Sequence, residues 1–341
     1  MVTTIFRKRF ADQLVGANGV SKRPNDVSLW LWAIFLLVLV SGCVENGMSN
    51  IMPSNKRSFH QKFNWKAENF FDDSMVISLC KAIEANDFKA IDRLIAEGAN
   101  VNAKGEGNMT PLLWAFPDDK IDRFKLLLKH GADPNVLITT NLGIPNAFEP
   151  GVSVTILAAK TYFPDYFSAV MEYGGDPNLR GPMGGTSLHA IIKSPAANRL
   201  ERIELALKHG ADINAVDLTH TTPVMMAVGW AGQYEVALRL LESGADFEIY
   251  YYDELQKLIH FVVKEENLPR SRSAERTTSF DRLATWLAEH GQNADEARSD
   301  LERWASFPHY DPKKFKTMMD RERRERKRVT KIPSNRIESH P

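Results

Sequence analysis

Apolar residues return at helical spacing along the middle of the chain, in pairs of short segments. Residues 76–83 read Val-Ile-Ser-Leu-Cys-Lys-Ala-Ile, and residues 91–95 read Ile-Asp-Arg-Leu-Ile. Apolar positions three or four residues apart predict an amphipathic helix with one buried face. Similar pairs continue to about residue 296. The pattern therefore predicts an all-helical region built from helix pairs.

One pentapeptide closes these pairs repeatedly. Residues 131–135 read Gly-Ala-Asp-Pro-Asn, and related sequences begin at Gly98, Gly174, Gly210 and Gly244. The glycines lie 33, 43, 36 and 34 residues apart, and a period of about 20–50 residues is typical of stacked repeats. Glycine just past a helix end adopts a left-handed backbone without a Cβ clash. We therefore predict that each of these glycines ends a helix.

The starts of three helices are also recognisable. Thr110, Thr186 and Thr222 each precede an apolar segment, and proline follows the first and the last of them. A threonine hydroxyl caps the first turn of a helix, and proline suits the first helical position, where an N–H has no partner. One unit is therefore predicted to run helix, turn, helix, glycine stop and extended finger.

The Thr-Pro-Leu helix start and the Gly-Ala-Asp-x-Asn ending resemble those of ankyrin repeats. The resemblance implies an all-α ankyrin-repeat solenoid of about five to six helix-turn-helix units with extended finger loops, over residues 67–305. Two departures stand out: a long finger at 137–150, and a sixth unit with an Arg-, Ser- and Thr-rich insertion at 270–279. Ankyrin arrays bind unrelated targets, so the fold by itself names no partner.

The N-terminal region has a different character. Residues 29–40 are apolar and uncharged, and Lys22 and Arg23 precede them. A transmembrane helix needs about 20 such residues, whereas twelve fit the apolar core of a secretory signal. Residues 40–43, Val-Ser-Gly-Cys, resemble the lipobox of bacterial lipoproteins. That resemblance implies a signal peptide over 1–42 and a lipidated Cys43, carrying acyl chains such as palmitate.

Alternatives to a lipoprotein signal remain at this stage. The apolar run could be a short membrane anchor, or an ordinary signal that is followed by a chance cysteine. The leader is longer than lipoprotein leaders usually are, which a start at Val20 would explain. Residue Val44 is not the aspartate that retains such proteins in the inner membrane, so the resemblance favours the outer membrane. Residues 43–66 are predicted to be a lipidated, flexible tether, and several acyl chains would anchor it stably.

The C-terminal residues 306–341 form a charged tail, with the run Arg-Glu-Arg-Arg-Glu-Arg-Lys-Arg at 321–328. Basic runs of this kind occur in nucleic-acid-binding segments, but a solvated helix that frays into a disordered tail explains this one better. The whole chain has 43 basic and 43 acidic residues, a formal net charge of zero. No global field therefore points to nucleic acid as a partner.

Sites of chemistry are not evident in the sequence. It has none of the common nucleophile, phosphate-loop, metalloprotease or Cys-x-x-Cys motifs. His189 and His260 occupy the ankyrin Leu-His position, which implies structural hydrogen bonds between loops. Cys80 falls on an apolar stripe and is predicted to be a buried thiol. We therefore predict that the chain is not an enzyme and uses no metal, cofactor or small-molecule substrate.

In ankyrin proteins, the finger tips and the inner helices form a concave face that binds another protein. Trp114 could line this face or fill the stack, and the helical position favours filling. The candidates carried over by position are Lys104, Glu106, Met109, Phe116, Phe148, Tyr162, Phe163, Arg180, Met183, His220 and Trp230.

These observations favour a bacterial outer-membrane lipoprotein on the periplasmic side that binds another protein through its ankyrin face. The specific hypothesis is an immunity protein that inhibits a toxin or lipase effector. Two alternatives are a periplasmic ankyrin protein that supports another enzyme, such as catalase, and a membrane-anchored scaffold.

Overall fold

Pairs of helices joined by tight turns make up the chain wherever its placement is defined. The computed structural model describes residues 58–144, 148–229, 232–251, 255–266 and 273–305. The helices are α1 (Phe59–Lys62), α2 (Ser74–Glu84), α3 (Phe88–Ala96), α4 (Pro111–Ala115), α5 (Ile121–Lys129), α6 (Val154–Lys160), α7 (Pro164–Glu172), α8 (Ser187–Lys193), α9 (Arg199–Lys208), α10 (Pro223–Gly229), α11 (Tyr234–Glu242), α12 (Leu258–Glu266), α13 (Ala274–Glu289) and α14 (Ala294–Ala305). Short 3₁₀ helices lie at Ala67–Asn69 and Glu106–Asn108. The pairs α2–α3 to α12–α13 form six repeats, as the sequence pattern predicts.

The predicted helix starts are confirmed, and side-chain caps fix them. The hydroxyl of Thr110 accepts the Leu113 N–H at 3.1 Å, and Pro111 is the first residue of α4. Thr222 accepts the Met225 N–H in the same way at the start of α10, at 3.3 Å. Each hydroxyl satisfies one N–H that the first helical turn leaves without an intrahelical partner.

The predicted glycine stops are also confirmed. Gly98, Gly131, Gly174, Gly210 and Gly244 have φ angles of +106°, +82°, +83°, +80° and +93°. The N–H groups of four of them donate to a carbonyl near the end of the preceding helix, as Gly131 does to Leu128 at 2.9 Å, and at Gly174 the next residue, Gly175, donates to Val170 instead. This left-handed backbone turns the chain out of the second helix and into the finger.

An asparagine ladder explains why the whole pentapeptide repeats. The amide of Asn135 donates to the Gly174 carbonyl and its oxygen accepts the Asp176 N–H, both at 2.9 Å. Asn102 and Asn178 make the same two bonds to the next repeat. Each asparagine therefore ties its own turn to the following one, which sets the register of the stack.

The helices stack in two layers. Among the first helices of the repeats, α2 packs on α4, and α6, α8, α10 and α12 pack one on the next. Among the second helices, α5, α7 and α9 pack in sequence, and α11 packs on α13. Helix α14 packs on α12 and covers the end of the first layer. A terminal helix of this kind shields the apolar face that an end repeat would otherwise expose.

Part of the predicted tether is folded instead. Residues 58–66 contain α1, and Trp65 and His60 are buried. The Trp65 indole N–H donates to the Leu142 carbonyl at 3.1 Å, and the Phe59 ring lies 6.0 Å from that of Phe148. The predicted tether boundary at 66 is therefore wrong, because apolar rings in this stretch find partners between α4 and the long finger.

Two arginines of the second helices are buried against the ends of first helices. Arg123 donates to the carbonyls of Ile83 and Ala115, and to Asp118. Arg202 donates to the carbonyls of Thr161, Ala158, Ala159 and Phe163. A cation placed there satisfies carbonyls that the helix end leaves open and complements the helix dipole.

The signal peptide, the lipobox at 40–43 and the charged tail at 306–341 lie outside the described residues, as does Trp230. Within the described part, no helix has the length and apolar character needed to cross a bilayer.

Candidate protein-binding surface

The structure separates the predicted surface residues into buried and exposed groups. Met109, Phe116, Phe148 and Phe163 are buried, with exposed fractions of 0%, 7%, 4% and 8%. All four belong to the continuous apolar core. Their side chains therefore stabilise the stack and do not present a surface to a partner, which corrects the expectation for these four positions.

Aromatic packing is the physical reason for the burial of Phe148 and Phe163. Phe148 lies with its ring 5.4 Å from that of Trp65, so the N-terminal segment covers it. Phe163 caps α7, as its position before Pro164 predicts, but its ring packs 5.5 Å from that of Tyr166. The Trp65–Phe148 contact joins residues far apart in the chain, so it cannot be read from neighbouring residues in the sequence.

Other candidates remain accessible. Lys104 and Glu106 are exposed on the first finger, and Tyr162 is half-buried at the end of α6. The first finger is held by the long finger, because the Gly107 carbonyl accepts the Thr139 N–H at 3.0 Å. The two exposed charges therefore stand on a supported loop.

Among the residues that the structure describes, the most exposed large apolar side chains lie at the tips of two neighbouring fingers. Met183 is 46% exposed and Leu218 is 70% exposed. The Leu218 N–H donates to the Met183 carbonyl at 3.0 Å, so the two tips are joined. We call residues 180–184 and 216–221 the fingertip platform. Joined tips that carry exposed apolar side chains are typical of protein-interaction sites.

Arg180 links the two fingers of the platform. Its guanidinium donates to the Gly184 carbonyl at 2.9 Å and to the Val216 carbonyl at 2.6 Å. The side chain therefore spans both fingers. Arg180 therefore holds the two tips together, and its role in binding stays a prediction.

The turn that presents Leu218 is built around Asp217. Its carboxylate accepts the N–H groups of Thr219 and Thr221 and the Thr219 hydroxyl, at 2.8, 3.0 and 2.7 Å. His220 completes the turn with a left-handed φ of +52° and is exposed. Because the carboxylate fixes the turn, Leu218 is displayed on a rigid loop.

His189 connects the platform to the first layer of helices. Its Nδ1 lies 3.1 Å from the Thr186 backbone N, and its Nε2 lies 2.9 Å from the Thr221 carbonyl oxygen. Nδ1 therefore accepts and Nε2–H donates, which requires a neutral ring. Burial, the largest influence, lowers the pKa of His189 and favours that form. The structural role predicted for this histidine is confirmed.

Two lysines end neighbouring first helices. Lys160 is the last residue of α6, and Lys193 is the last residue of α8. Burial lowers the pKa of both ammonium groups; Glu149 opposes this at Lys160, and Asp217 opposes it at Lys193. Although part of Lys193 reaches solvent, the surrounding protein desolvates its charge. The two lysines therefore occupy the same position in neighbouring repeats.

Possible metal ligands and the one described cysteine are the candidates for sites of chemistry. No three histidine, cysteine, aspartate or glutamate side chains there are placed to hold a metal ion. Cys80 is fully buried, as predicted, and burial raises the pKa of its thiol. A protonated, inaccessible thiol is a poor nucleophile.

Leu218 is the main surface residue that the sequence reasoning missed. It is the third residue of the finger sequence Val-Asp-Leu-Thr-His at 216–220, directly after Asp217. An apolar residue directly after a turn-forming aspartate is a signal that could have found it, because such turns lie at the surface.

Comparison with known families supports the repeat assignment. Residues 155–250 match the family model for ankyrin repeats, in three copies. This region runs from α6 through α11 and includes the fingertip platform. The long finger at 137–150 and the insertion at 270–279 lie outside the matched residues.

Similar proteins share only part of their length with this chain. The palmitoyltransferase AKR1 of Lachancea kluyveri is 28% identical over 163 residues, which cover 48% of this chain and 21% of that protein. The ankyrin repeat protein FPV230 of fowlpox virus is 27% identical over 176 residues, covering 45% of this chain and 92% of that protein. The chain therefore spans about a fifth of the length of the first of these relatives. Taken with the all-helical stack, these matches show that the described part of the chain has the fold of an ankyrin-repeat helical solenoid, a protein–protein interaction module.

Proposed function

We propose that this chain is a membrane-tethered ankyrin-repeat protein that holds and blocks another protein in the periplasm, as an immunity protein does for a toxin or lipase effector. The observation that supports a binding role most directly is the fingertip platform. Met183 and Leu218 are exposed on joined, rigid loops. A rigid apolar pair loses little conformational entropy when it is covered by a partner.

The N-terminal segment restricts where that partner can dock. Residues 58–66 lie between α4 and the long finger, with His60 and Trp65 buried there. This part of the finger side is already filled by the chain itself. The platform lies on the next two fingers and exposes apolar side chains, so we place the proposed site on repeats 3 to 5.

A tether at Cys43 belongs to the same proposal. It rests on the lipobox-like sequence at 40–43 and the apolar run before it. Metabolic labelling with a fatty acid, followed by membrane fractionation, tests it. Label that is lost in Cys43→Ser supports the lipoprotein assignment, and label that survives the substitution refutes it.

The binding surface is tested by site-specific photo-crosslinking in the full chain. A photoreactive amino acid replaces Leu218 in one sample and Leu200 in the other; Leu200 is also an exposed leucine, 37% accessible, but lies on the second helix α9. One crosslinked protein obtained from the Leu218 sample and not from the Leu200 sample is the expected result. Equal crosslinking from both positions would place the site elsewhere.

Once the crosslinked partner is identified, its activity distinguishes an inhibitor from a supporting protein. The purified partner is assayed with and without the chain. Loss of activity, restored when Met183 and Leu218 are both changed to serine, supports the immunity function. Unchanged or increased activity would overturn it and favour a supporting role.

A further inference from the structure

The N-terminal segment leaves a cavity beside the first finger. Its volume is about 190 Å³, it is partly open to solvent, and its walls come from residues 63–65, residues 69–70, Glu106 and residues 140–142. The N-terminal segment, the first finger and the long finger therefore meet around one space. None of the lining residues belongs to the fingertip platform, so the cavity is a second candidate site.

Contacts between the walls fix the shape of the cavity. The Trp65 indole N–H donates to the Leu142 carbonyl at 3.1 Å, and the Trp65 ring lies 5.6 Å from the ring of Phe70. The Glu106 N–H donates to the Phe70 carbonyl at 2.8 Å. Because each wall is joined to another, the cavity is already formed without a ligand, and a ligand would not have to order it.

Two glycines place the backbone of Glu106 between these walls. A Cβ added to Gly105 would collide with the Phe70 carbonyl, and one added to Gly107 would collide with the Thr140 hydroxyl. Gly107 also has a left-handed φ of +64°, which glycine adopts without strain. The finger therefore packs closely on both sides of Glu106, and this side chain starts from a fixed position.

Three aromatic side chains line the cavity. Phe63 is 38% exposed, and its ring lies 4.6 Å from that of Phe59. Phe70 is half-buried, and Trp65 is buried. Aromatic rings attract cations because their faces carry negative charge, and their apolar surface also packs against methyl and methylene groups. The rings therefore favour a ligand that is both cationic and partly apolar.

The charge of the lining is negative. Among the described residues that line the cavity, Glu106 is the only charged one, and its side chain is exposed. Its carboxylate forms no salt bridge or hydrogen bond with any other residue that the structure describes, and Lys104, two residues earlier, does not line the cavity. The amide oxygens of Asn64 and Asn69 add two acceptors to the lining. An anion would meet the carboxylate without a compensating cation.

We propose that this cavity binds an organic cation, an alkylammonium or a guanidinium group, between the Glu106 carboxylate and the rings of Phe63 and Phe70. The carboxylate is the counterion, the asparagine oxygens accept any N–H groups, and the rings pack against the carbon atoms. A volume of about 190 Å³ admits one such group, since pockets for drug-sized ligands measure about 300–1,000 Å³.

Such a group occurs in free small cations and at the ends of lysine and arginine side chains. The assignment does not rest on the function proposed above, because the cavity shares no residue with the fingertip platform.

Saturation-transfer NMR with the full chain measures the binding of matched small ligands. Choline represents a free small cation, and N-acetylarginine amide represents an arginine side chain. The uncharged dimethylbutanol analogue of choline and N-acetylcitrulline amide have nearly the same shapes without the charge. N-acetylglucosamine represents a neutral sugar, which could also use aromatic rings and amides.

Two variants, each with a matched control, locate the binding. E106Q removes the charge of the cavity, and E201Q removes an exposed charge from α9. F63L replaces a lining ring with an aliphatic side chain, and F88L does the same at the start of α3, where the phenylalanine is 36% exposed. Circular dichroism shows whether each variant is folded.

The expected result is saturable binding of at least one cation, with a Kd at least about fivefold lower than that of its uncharged analogue. We expect E106Q to raise this Kd about fivefold and F63L about threefold, and each control to change it by less than about 1.5-fold. Binding of choline alone would assign a free small cation, and binding of N-acetylarginine amide alone would assign the side chain of a protein.

The assignment would be overturned if neither cation bound, if the uncharged analogues bound equally well, if N-acetylglucosamine bound more tightly, or if E106Q and E201Q had the same effect. Crosslinking at Leu218 tests a different surface, so a failure at the cavity is distinguishable from a failure of the proposed function.

Discussion

The imidazole of His60 lies over the indole of Trp114, with ring centroids 4.2 Å apart and Nε2 2.9 Å from the Trp114 carbonyl oxygen. This contact holds the N-terminal segment onto α4. Since a carbonyl only accepts, Nε2–H donates in this contact. Asp118, at 3.6 Å from Nδ1, favours the protonated form but is outweighed by burial, which lowers the pKa of His60.

Acid should therefore weaken the attachment of this segment. The unfolded chain binds a proton near the ordinary pKa of 6.5, whereas folded His60 does so only at lower pH. Between these values the unfolded state holds more protons, so the free energy of unfolding decreases as pH falls below about 6.5. Urea unfolding followed by tryptophan fluorescence at several pH values measures this. His189 contributes in the same direction, so the effect of His60 is the difference between the wild type and His60→Gln.

The matched control for that measurement is His209→Gln, at an exposed position after α9. We expect His209→Gln to keep the pH dependence of the wild type and His60→Gln to reduce it. Identical dependence in all three proteins would mean that His60 does not couple the segment to pH.

The asparagine ladder predicts a local loss of stability. Asn178→Ala removes two hydrogen bonds. In one, the Asn178 amide donates to the Gly210 carbonyl at 2.8 Å. In the other, the Asn178 side-chain oxygen accepts the Asp212 N–H at 2.7 Å. We expect the free energy of unfolding to decrease by about 1–2 kcal/mol, since two partially exposed hydrogen bonds are lost. Asn198→Ala is the control, because Asn198 precedes α9 without a side-chain capping bond. Thermal melts in which both variants behave alike would contradict the ladder.

The left-handed turn at Gly131 predicts an effect of backbone strain alone. Its φ is +82°, and no atom lies within 4 Å of an added Cβ. Gly131→Val should cost about 1–3 kcal/mol, because a β-branched residue is strained in this conformation. Gly131→Asn should cost less, since asparagine tolerates it. Melting temperatures that are unshifted in the valine variant would refute the assigned turn.

Burial predicts that two arginines differ greatly in their contribution to stability. Arg202→Met leaves several buried carbonyls of α6 and the following turn without a donor, so we expect a loss of about 2–4 kcal/mol. Arg239→Met breaks an ion pair with Glu204 in which both side chains are about half exposed, which should cost less than about 1 kcal/mol. Chemical denaturation measures both, and equal losses would show that the Arg202 contacts are not stabilising.

The burial of Arg202 also bears on its ionisation. Its pKa is lowered to about 10 by burial, with Arg199 acting in the same direction. The group stays charged at neutral pH, so the contacts with carbonyls persist under physiological conditions.

Much of the fold could be predicted from local sequence. The caps at Thr110 and Thr222 and the stop at Gly131 depend on the conformational preferences of a few adjacent residues. The structural role of His189 followed from its rank in the repeat. Such features are readable because a hydrogen bond between residues three apart, or a left-handed glycine, involves no distant part of the chain.

The candidate surface was predicted less well. Phe148 and Phe163 were expected at the surface, yet Trp65 and Tyr166 cover them. Leu218 was overlooked, although it is the most exposed large apolar residue of the described part. Exposure depends on the tertiary contacts of a side chain, such as that of Phe148 with the distant Trp65, and position within a repeat does not carry that information.

By itself, the sequence determined a series of helix pairs, the residues that start and stop them, and the period at which they stack. These properties arise from short-range hydrogen bonding and backbone sterics. The tertiary structure alone decided that residues 58–66 fold against α4, that Arg202 is buried beneath α6, and that Leu218 and Met183 meet at the tips of adjacent fingers. Each of these depends on contacts between residues far apart in the chain. Whether such a side chain is buried or solvated is decided only when the helical layers pack together.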